Sequence, residues 1–375
     1  MTMLEDKIRT AFQEKAGEIP PDAPPLRLPA RPRRSLFLTY GGGGNGGTSA
    51  RRARHRWMTA AACAVLVVGV IAASSATFGG RPVAPSSTAR AGAGHPVLTT
   101  RPASYLGVYE AGRSEAAWTP SYPPVAKFTA AADKGPNLVE YISNLGQPFA
   151  ASYARTLRRH GAIMVVQIDP NGASLAAIAA GSYDEYLSSY ADSVRRFGHP
   201  VVIGFGHEMN GSWWPWGYGH ATPSAFVAAW QHIVKLFRAM GAGNVTWLWT
   251  ISADSAGTGP IASWWPGSNY VTWIGVDGYF GMPSDTFASV FGSTITQLRE
   301  FTNRPILLAQ TAVARGMDQY TNIRKLFEGM TQYGTLGLVW SDIQTTVGDD
   351  WRLEGDAQAE AAFRVGASSL TLAHP

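Results

Sequence analysis

The chain has 375 residues, a formal net charge of +5 and a single cysteine, Cys63. Residues 1–56 carry eleven Lys or Arg against five Asp or Glu, so residues 57–375 net −1 and the basic character belongs to the N-terminal segment. That balance excludes a nucleic-acid footprint on the large C-terminal part. One cysteine excludes a disulfide framework, so an exported domain must be held by its own core, for which roughly 270 residues is ample.

Residues 4–18 place Leu4, Ile8, Ala11 and Phe12 on one helical face, consistent with a short amphipathic helix or a transient one on a disordered tail. Pro20-Pro21, Pro24-Pro25, Pro29 and Pro32 break any helix beyond residue 18, and Gly41 to Gly47 reads as a flexible linker. The glycine run has no Lys-Ser/Thr ending, so it is not a phosphate-binding loop. Residues 1–56 are therefore expected to be a mostly disordered segment. Trp57 to Phe78 is an uncharged, mostly apolar run of 22 residues. As a helix it spans about 33 Å, enough to cross a bilayer core of roughly 30 Å. Arg51, Arg52, Arg54 and Arg56 stand immediately before it, which predicts a cytoplasmic N-terminus and an outer C-terminus. A cleaved signal competes, with Ala72-Ala73-Ser74-Ser75-Ala76 as cleavable sequence, but a 56-residue leader segment is too long for an ordinary one. The expected location is the plasma membrane, single-pass. Residues 79–102, rich in Pro, Ser, Ala and Gly, read as an outer tether.

From Tyr105 onward, apolar strand-like runs alternate with helix-period segments. The runs are 105–109, 137–142, 162–168, 201–206, 245–251, 273–279, 305–309 and 337–340. Ser182 and Glu185 have the spacing of a capping box, with Tyr186, Leu187, Tyr190, Val194 and Phe197 at helical intervals after it. Thr222-Pro223 starts a second helix, with Phe226, Trp230, Ile233, Val234, Phe237 and Met240 as its stripe. Phe287, Phe291, Ile295, Leu298 and Phe301 mark a third. Eight strand–helix units in residues 103–370 predict an α/β fold, a (β/α)8 barrel, with an open doubly wound sheet as the alternative.

Catalytic groups of such a barrel sit at the C-terminal strand ends. Here those ends carry Glu110, Asn144, Asp169, His207-Glu208, Asp254, Asp277 to Tyr279, Gln310 and Trp340 to Asp342. Asp169 precedes Pro170 and reads first as a turn former, with a functional role as the lesser alternative. Asp254 lies in a Ser/Gly loop and reads as solvated. Asp277 divides evenly between a turn and a hydrogen-bonding role, and Trp340 between core and a sugar-stacking surface. The most informative stretch is Gly206 to Gly217, where Glu208 ends a buried strand with Trp213, Trp214 and Trp216 close behind. A carboxyl group packed against tryptophan can hold a proton near neutral pH, and flat rings stack on sugar C–H faces. No second His stands four residues after His207, so this is not a zinc helix; no Cys/His cluster or Gly-x-Ser-x-Gly elbow occurs elsewhere, and no cofactor is expected.

His207-Glu208-Met209-Asn210-Gly211, together with Trp213-Trp214-Pro215-Trp216-Gly217, resembles the signature of glycoside hydrolase family 26. Trp264 to Gly267, Val276 to Tyr279, Val339 to Asp342 and Asp350 to Arg352 resemble further blocks of that family in order. The resemblance implies a retaining endo-β-mannanase-type barrel, monomeric, acting on polysaccharide. It implies Glu208 as general acid/base with His207 orienting the reacting groups. It also implies Trp213, Tyr279, Trp340, Asp277 and Asn210 as substrate-binding residues. One position departs: where the family carries its nucleophilic Glu, this chain has Gln310 in Leu307-Leu308-Ala309-Gln310-Thr311. An amide is a poor nucleophile and does not stabilise developing positive charge. Either another group (Asp277, Asp342 or a positioned water) replaces the carboxylate, or the barrel binds glycan without turning it over. An output domain in residues 1–56 is not recognisable.

Overall fold

The computed structural model describes residues 98–109, 120–255, 257–316, 318–344 and 350–374. The expected segments 1–56 and 57–78, Cys63 and Glu110 lie outside the described residues. Among the described residues no helix is long and apolar enough to cross a membrane.

Eight parallel strands close on themselves in chain order: β1 (Tyr105–Tyr109), β2 (Leu138–Asn144), β3 (Ile163–Asp169), β4 (Val201–Phe205), β5 (Val245–Ser252), β6 (Trp273–Asp277), β7 (Ile306–Thr311) and β8 (Gly337–Ser341). The closing pair sets Tyr105 against Gly337 and Tyr109 against Ser341. Strands buried on both faces must be apolar nearly throughout, which is why the runs are continuous rather than alternating. The helices are α1 (Pro123–Ala132), α2 (Ala151–Arg159), α3 (Leu175–Ala179), α4 (Asp184–Phe197), α5 (Pro223–Ala239), α6 (Ser293–Arg299), α7 (Gln319–Tyr333) and α8 (Ala357–Ser368). Between β5 and β6 the described residues hold only a 3-10 turn, Ala262–Trp264, so the alternation of strand and helix breaks there.

α5 starts as expected: the Thr222 hydroxyl accepts from the Ala225 N–H at 3.3 Å, and Pro223 occupies the first turn, where no donor is needed. Its Trp230 and Phe237 pack on Trp247 of β5, ring centroids 6.2 and 5.3 Å away. The Ser182–Glu185 capping box does not form. The Ser182 N–H closes the end of α3 on the Ala177 carbonyl, and α4 begins at Asp184 without a side-chain cap. The third stripe is one π turn, Ala288–Gly292, running into α6, and it still buries Phe287, Phe291, Ile295 and Leu298.

The barrel interior is partly polar where side-chain layers are ordinarily branched and apolar. Gln167 of β3 donates from Nε2 to Glu140 Oε1 of β2 at 3.0 Å and to Thr250 Oγ1 of β5 at 2.9 Å. Two glycines make room for this layer. A Cβ on Gly204 would lie 1.8 Å from Gln167 Oε1, and one on Gly275 would lie 2.5 Å from Thr250 Oγ1. Gly204→Ala is therefore expected to displace the Gln167 amide and lower unfolding stability by about 1–3 kcal/mol. Urea unfolding of the two proteins side by side checks this; an unchanged midpoint would remove the packing argument.

Candidate active site

The site is built where β4 ends. Gly206 and Glu208 both take left-handed backbone angles, φ 56° and 52°. For a glutamate this conformation costs roughly 1–3 kcal/mol and persists only where surroundings enforce it. Three hydrogen bonds do so. The Glu208 N–H donates to the Thr250 carbonyl at 2.9 Å, and the Gly211 N–H donates to the Glu208 carbonyl at 2.9 Å. The Trp216 indole donates to the His207 carbonyl at 3.0 Å. The turn swings the Glu208 side chain to a half-buried position at the C-terminal rim.

Trp213 and Trp214 meet that side chain with their N–H edges rather than their faces. Both indoles donate to Glu208 Oε2, at 2.7 and 3.2 Å. The carboxyl group is thus oriented through one oxygen, Oε2. Trp214 stacks on Trp216, centroids 4.9 Å apart and planes 6° from parallel, and this slab backs His207 at 5.2 Å.

His207 is buried and its Nδ1 pairs with Asp169 Oδ1 at 2.8 Å. Burial alone would push the imidazole down. The Asp169 charge and hydrogen bond, with Glu208 and Glu140 nearby, outweigh it and raise His207 to about 9. Burial also lifts Asp169 against the pull of His207. The pair shares one proton, which the charges of Asp169, Glu208 and Glu140 favour on His207. Asp169 is therefore a partner of the site and not simply a turn former.

Gln310, one residue before the end of β7, pairs with Asp277 of β6. Its Oε1 accepts from the Tyr279 hydroxyl at 3.1 Å, and that hydroxyl lies 3.3 Å from Ser341 Oγ on β8. Asp277 is buried, no side chain among the described residues hydrogen-bonds its carboxyl oxygens, and the Gln310 backbone is the group that favours its charged form. Burial, then the charges of Glu208 and Glu140, push it well above the ordinary carboxylate range. Glu140, absent from the sequence-based candidates, stands beside this group. Burial drives it up to about 8 against the opposing effects of Gln167, His207 and Gln310. A lone Glu within the apolar run of β2 gives no pattern signal. Its inward parity, opposite the Tyr141 ring that packs on Tyr153 of α2, was the available clue.

Two expected sugar-binding residues are placed elsewhere. The Trp340 ring is fully buried, packs edge-on against Phe363 of α8 at 5.1 Å and donates its N–H to the Trp351 carbonyl. Side chains alternate along a strand, so Ser341 faces the interior and Trp340 the helix layer. Asn210 is also fully buried. Its amide donates to the Ser252 carbonyl at 2.8 Å and accepts from the Ser252 N–H at 2.9 Å, tying the Glu208 loop to β5. Asp342 likewise binds backbone, accepting from the Leu353 N–H at 2.7 Å. Asp254 is exposed, as expected, and accepts from Ser293 Oγ at 3.0 Å.

The raised groups fix a pH dependence of stability. Glu140 folds with its acidity shifted from 4.5 to about 8, and His207 from 6.5 to about 9. Each contributes stability that is present below its unfolded value and is lost as pH rises through the folded value. The folded chain is expected to resist urea better at pH 5 than at pH 8, with Glu140→Gln removing part of the difference. Urea midpoints across that range test this; a wild-type midpoint that rises toward pH 8 would contradict it.

Comparison with known proteins places this geometry. A family model described as "Glycosyl hydrolase family 26" matches residues 175–364. Endoglucanase H of Acetivibrio thermocellus is 29% identical over 286 residues, covering 70% of this chain and 31% of that protein. A β-1,3-xylanase of Vibrio sp. is 23% identical over 154 residues, covering 40% of this chain and 32% of its own length. The chain thus spans about a third of the length of the curated relatives it matches. A solved Bacillus subtilis mannanase superposes with a TM-score of 0.53 at 18% identity, covering 70% of this chain and 85% of that one, a likeness of fold.

Proposed function

The chain belongs to glycosyl hydrolase family 26, and from that premise we propose that its barrel hydrolyses a β-linked polysaccharide, of β-mannan type, with Glu208 as proton donor. The observation that carries this reading is the placement of Glu208: a carboxyl group aimed by two indole N–H groups from a strained turn at the catalytic rim. Glu208 gives its proton to the glycosidic oxygen as that oxygen leaves and the opposing carboxylate bonds to the anomeric carbon; water then displaces that carboxylate and returns a proton to Glu208. His207, fixed by Asp169, orients the group beside it. Tyr279 and Trp213 border the sugar at the bond being broken.

The position that the resemblance assigns to a nucleophile holds the Gln310 amide. In this reading Asp277 supplies the opposing carboxylate, because it neighbours Gln310 across the sheet and no side chain among the described residues binds its carboxyl oxygens. It must first lose the proton that burial and Glu208 favour. Gln310 itself favours a second reading, a surface protein that keeps the groove and binds glycan without turnover. In both, residues 57–78 anchor the barrel outside the plasma membrane with residues 1–56 in the cytoplasm.

Reducing-end release by the purified full-length chain from β-1,4-mannan, β-1,4-glucan and β-1,3-xylan separates the readings. Hydrolysis is expected, and Glu208→Ala is expected to lower it at least about 10²-fold, the usual worth of a positioned acid. Release only by Gln310→Glu would establish the binding reading instead. Neither release nor binding in any variant would sink both.

A further inference from the structure

The loop that carries Glu208 also presents an aromatic ring to solvent. Tyr218 is 43% exposed, one of few large apolar side chains so placed among the described residues. Its ring lies directly on Gly259 in the loop after β5. A Cβ at that glycine would fall 2.3 Å from Cδ2, 2.6 Å from Cε2 and 2.7 Å from Cγ, so no other residue leaves the ring where it is.

The support beneath the ring is hydrogen-bonded to the catalytic turn. The Tyr218 N–H donates to the Met209 carbonyl at 2.9 Å, and the Gly259 N–H donates to the Asn210 carbonyl at 2.7 Å. Met209 and Asn210 are the two residues directly after Glu208. The two loops are further joined by the Gly211–Thr258 bridge and by the Ser212 N–H on the Gly257 carbonyl at 3.0 Å. Gly217 is pressed against the Gly211 carbonyl, where a Cβ would lie 2.3 Å away, and Gly219 turns the chain with φ 84°. An exposed aromatic normally remains free to change rotamer. This one is held from its backbone on both sides and along the ring contact with Gly259, with its remaining surface in water at the C-terminal rim.

We propose that Tyr218 is the platform of a further sugar subsite, stacking one pyranose ring of a neutral glycan chain at a distance from the bond cut beside Glu208. The inference rests on the polysaccharide reading above. The chemistry is specific to that ligand class. A pyranose presents a flat face of C–H groups that an aromatic π face attracts, and a preformed platform loses little conformational freedom on binding. Such a subsite adds affinity only for chains long enough to reach it.

Calorimetry with β-1,4-mannohexaose and β-1,4-mannobiose, on the full-length chain carrying Glu208→Gln to stop turnover, tests the proposal. If neither is bound, the same titrations are run with cello- and β-1,3-xylo-oligosaccharides of six and two units. Tyr218→Ala is expected to weaken hexasaccharide binding about three- to tenfold, the range of an aromatic stacking contact, and to leave disaccharide binding unchanged. Tyr218→Trp is expected to keep hexasaccharide affinity. Gly259→Leu, which lifts the ring without removing it, is expected to behave like Tyr218→Ala while thermal unfolding of Tyr218→Ala matches its parent. Equal hexasaccharide affinity with and without the Tyr218 ring would overturn the platform alone, as would an equal loss for both chain lengths. If the unaltered site bound none of these glycans, the polysaccharide reading would fail first and take this inference with it.

Discussion

Thr250 receives two hydrogen bonds that join the barrel interior to its rim. Its hydroxyl oxygen accepts from Gln167 inside the barrel, and its carbonyl accepts from the Glu208 N–H at the strand end. The first fixes the only amide that spans β2, β3 and β5 in the described interior. The second holds a glutamate in a backbone conformation it would otherwise leave. The aim of the Glu208 carboxyl group, the slab of Trp214 and Trp216 behind His207, and the loop that carries Tyr218 all depend on that turn. The layer of Gln167 is possible because Gly204 and Gly275 bring no side chain into the same space.

The fold was largely legible in the sequence because burial on both faces leaves strands as unbroken apolar runs. All eight runs hold strands, with Asn137, Ala162 and Pro305 falling just before β2, β3 and β7, Gly206 just after β4, and Gly278 and Tyr279 just after β6. Glu208, His207 and Trp213 were legible because they cluster within a few residues. What escaped depends on contacts between distant segments. Glu140 and Gln167 are single polar residues inside apolar strands, and only the closed barrel sets them together. Asp169 was obscured by the proline after it, although its partner is 38 residues away. Asn210 and Trp340 carry the right chemistry for sugar, but β5 occupies the amide of the first and strand parity turns the second toward α8. Ser182 has the right spacing for a cap, yet the preceding helix claims its N–H.

The interior groups around Glu208 are Asp169, Glu140 and Asp277, with His207 as the one cationic side chain among them. Coulomb repulsion among four closely set carboxyl groups cannot be met by one imidazolium. The arrangement answers this by pairing and burial: Asp169 is matched directly to His207, while burial raises Glu140 and Asp277 toward their neutral forms. Gln310 fits the same balance, since a fifth carboxylate in this layer would have no cation to face.

A protonated carboxyl group is donor at one oxygen and acceptor at the other, the same dual character as an alcohol. The raised acidities of Glu140 and Asp277 favour that state, in which each has the hydrogen-bonding pattern of a hydroxyl group. Burial thus leaves the floor of this barrel less negatively charged than its number of carboxyl groups would give.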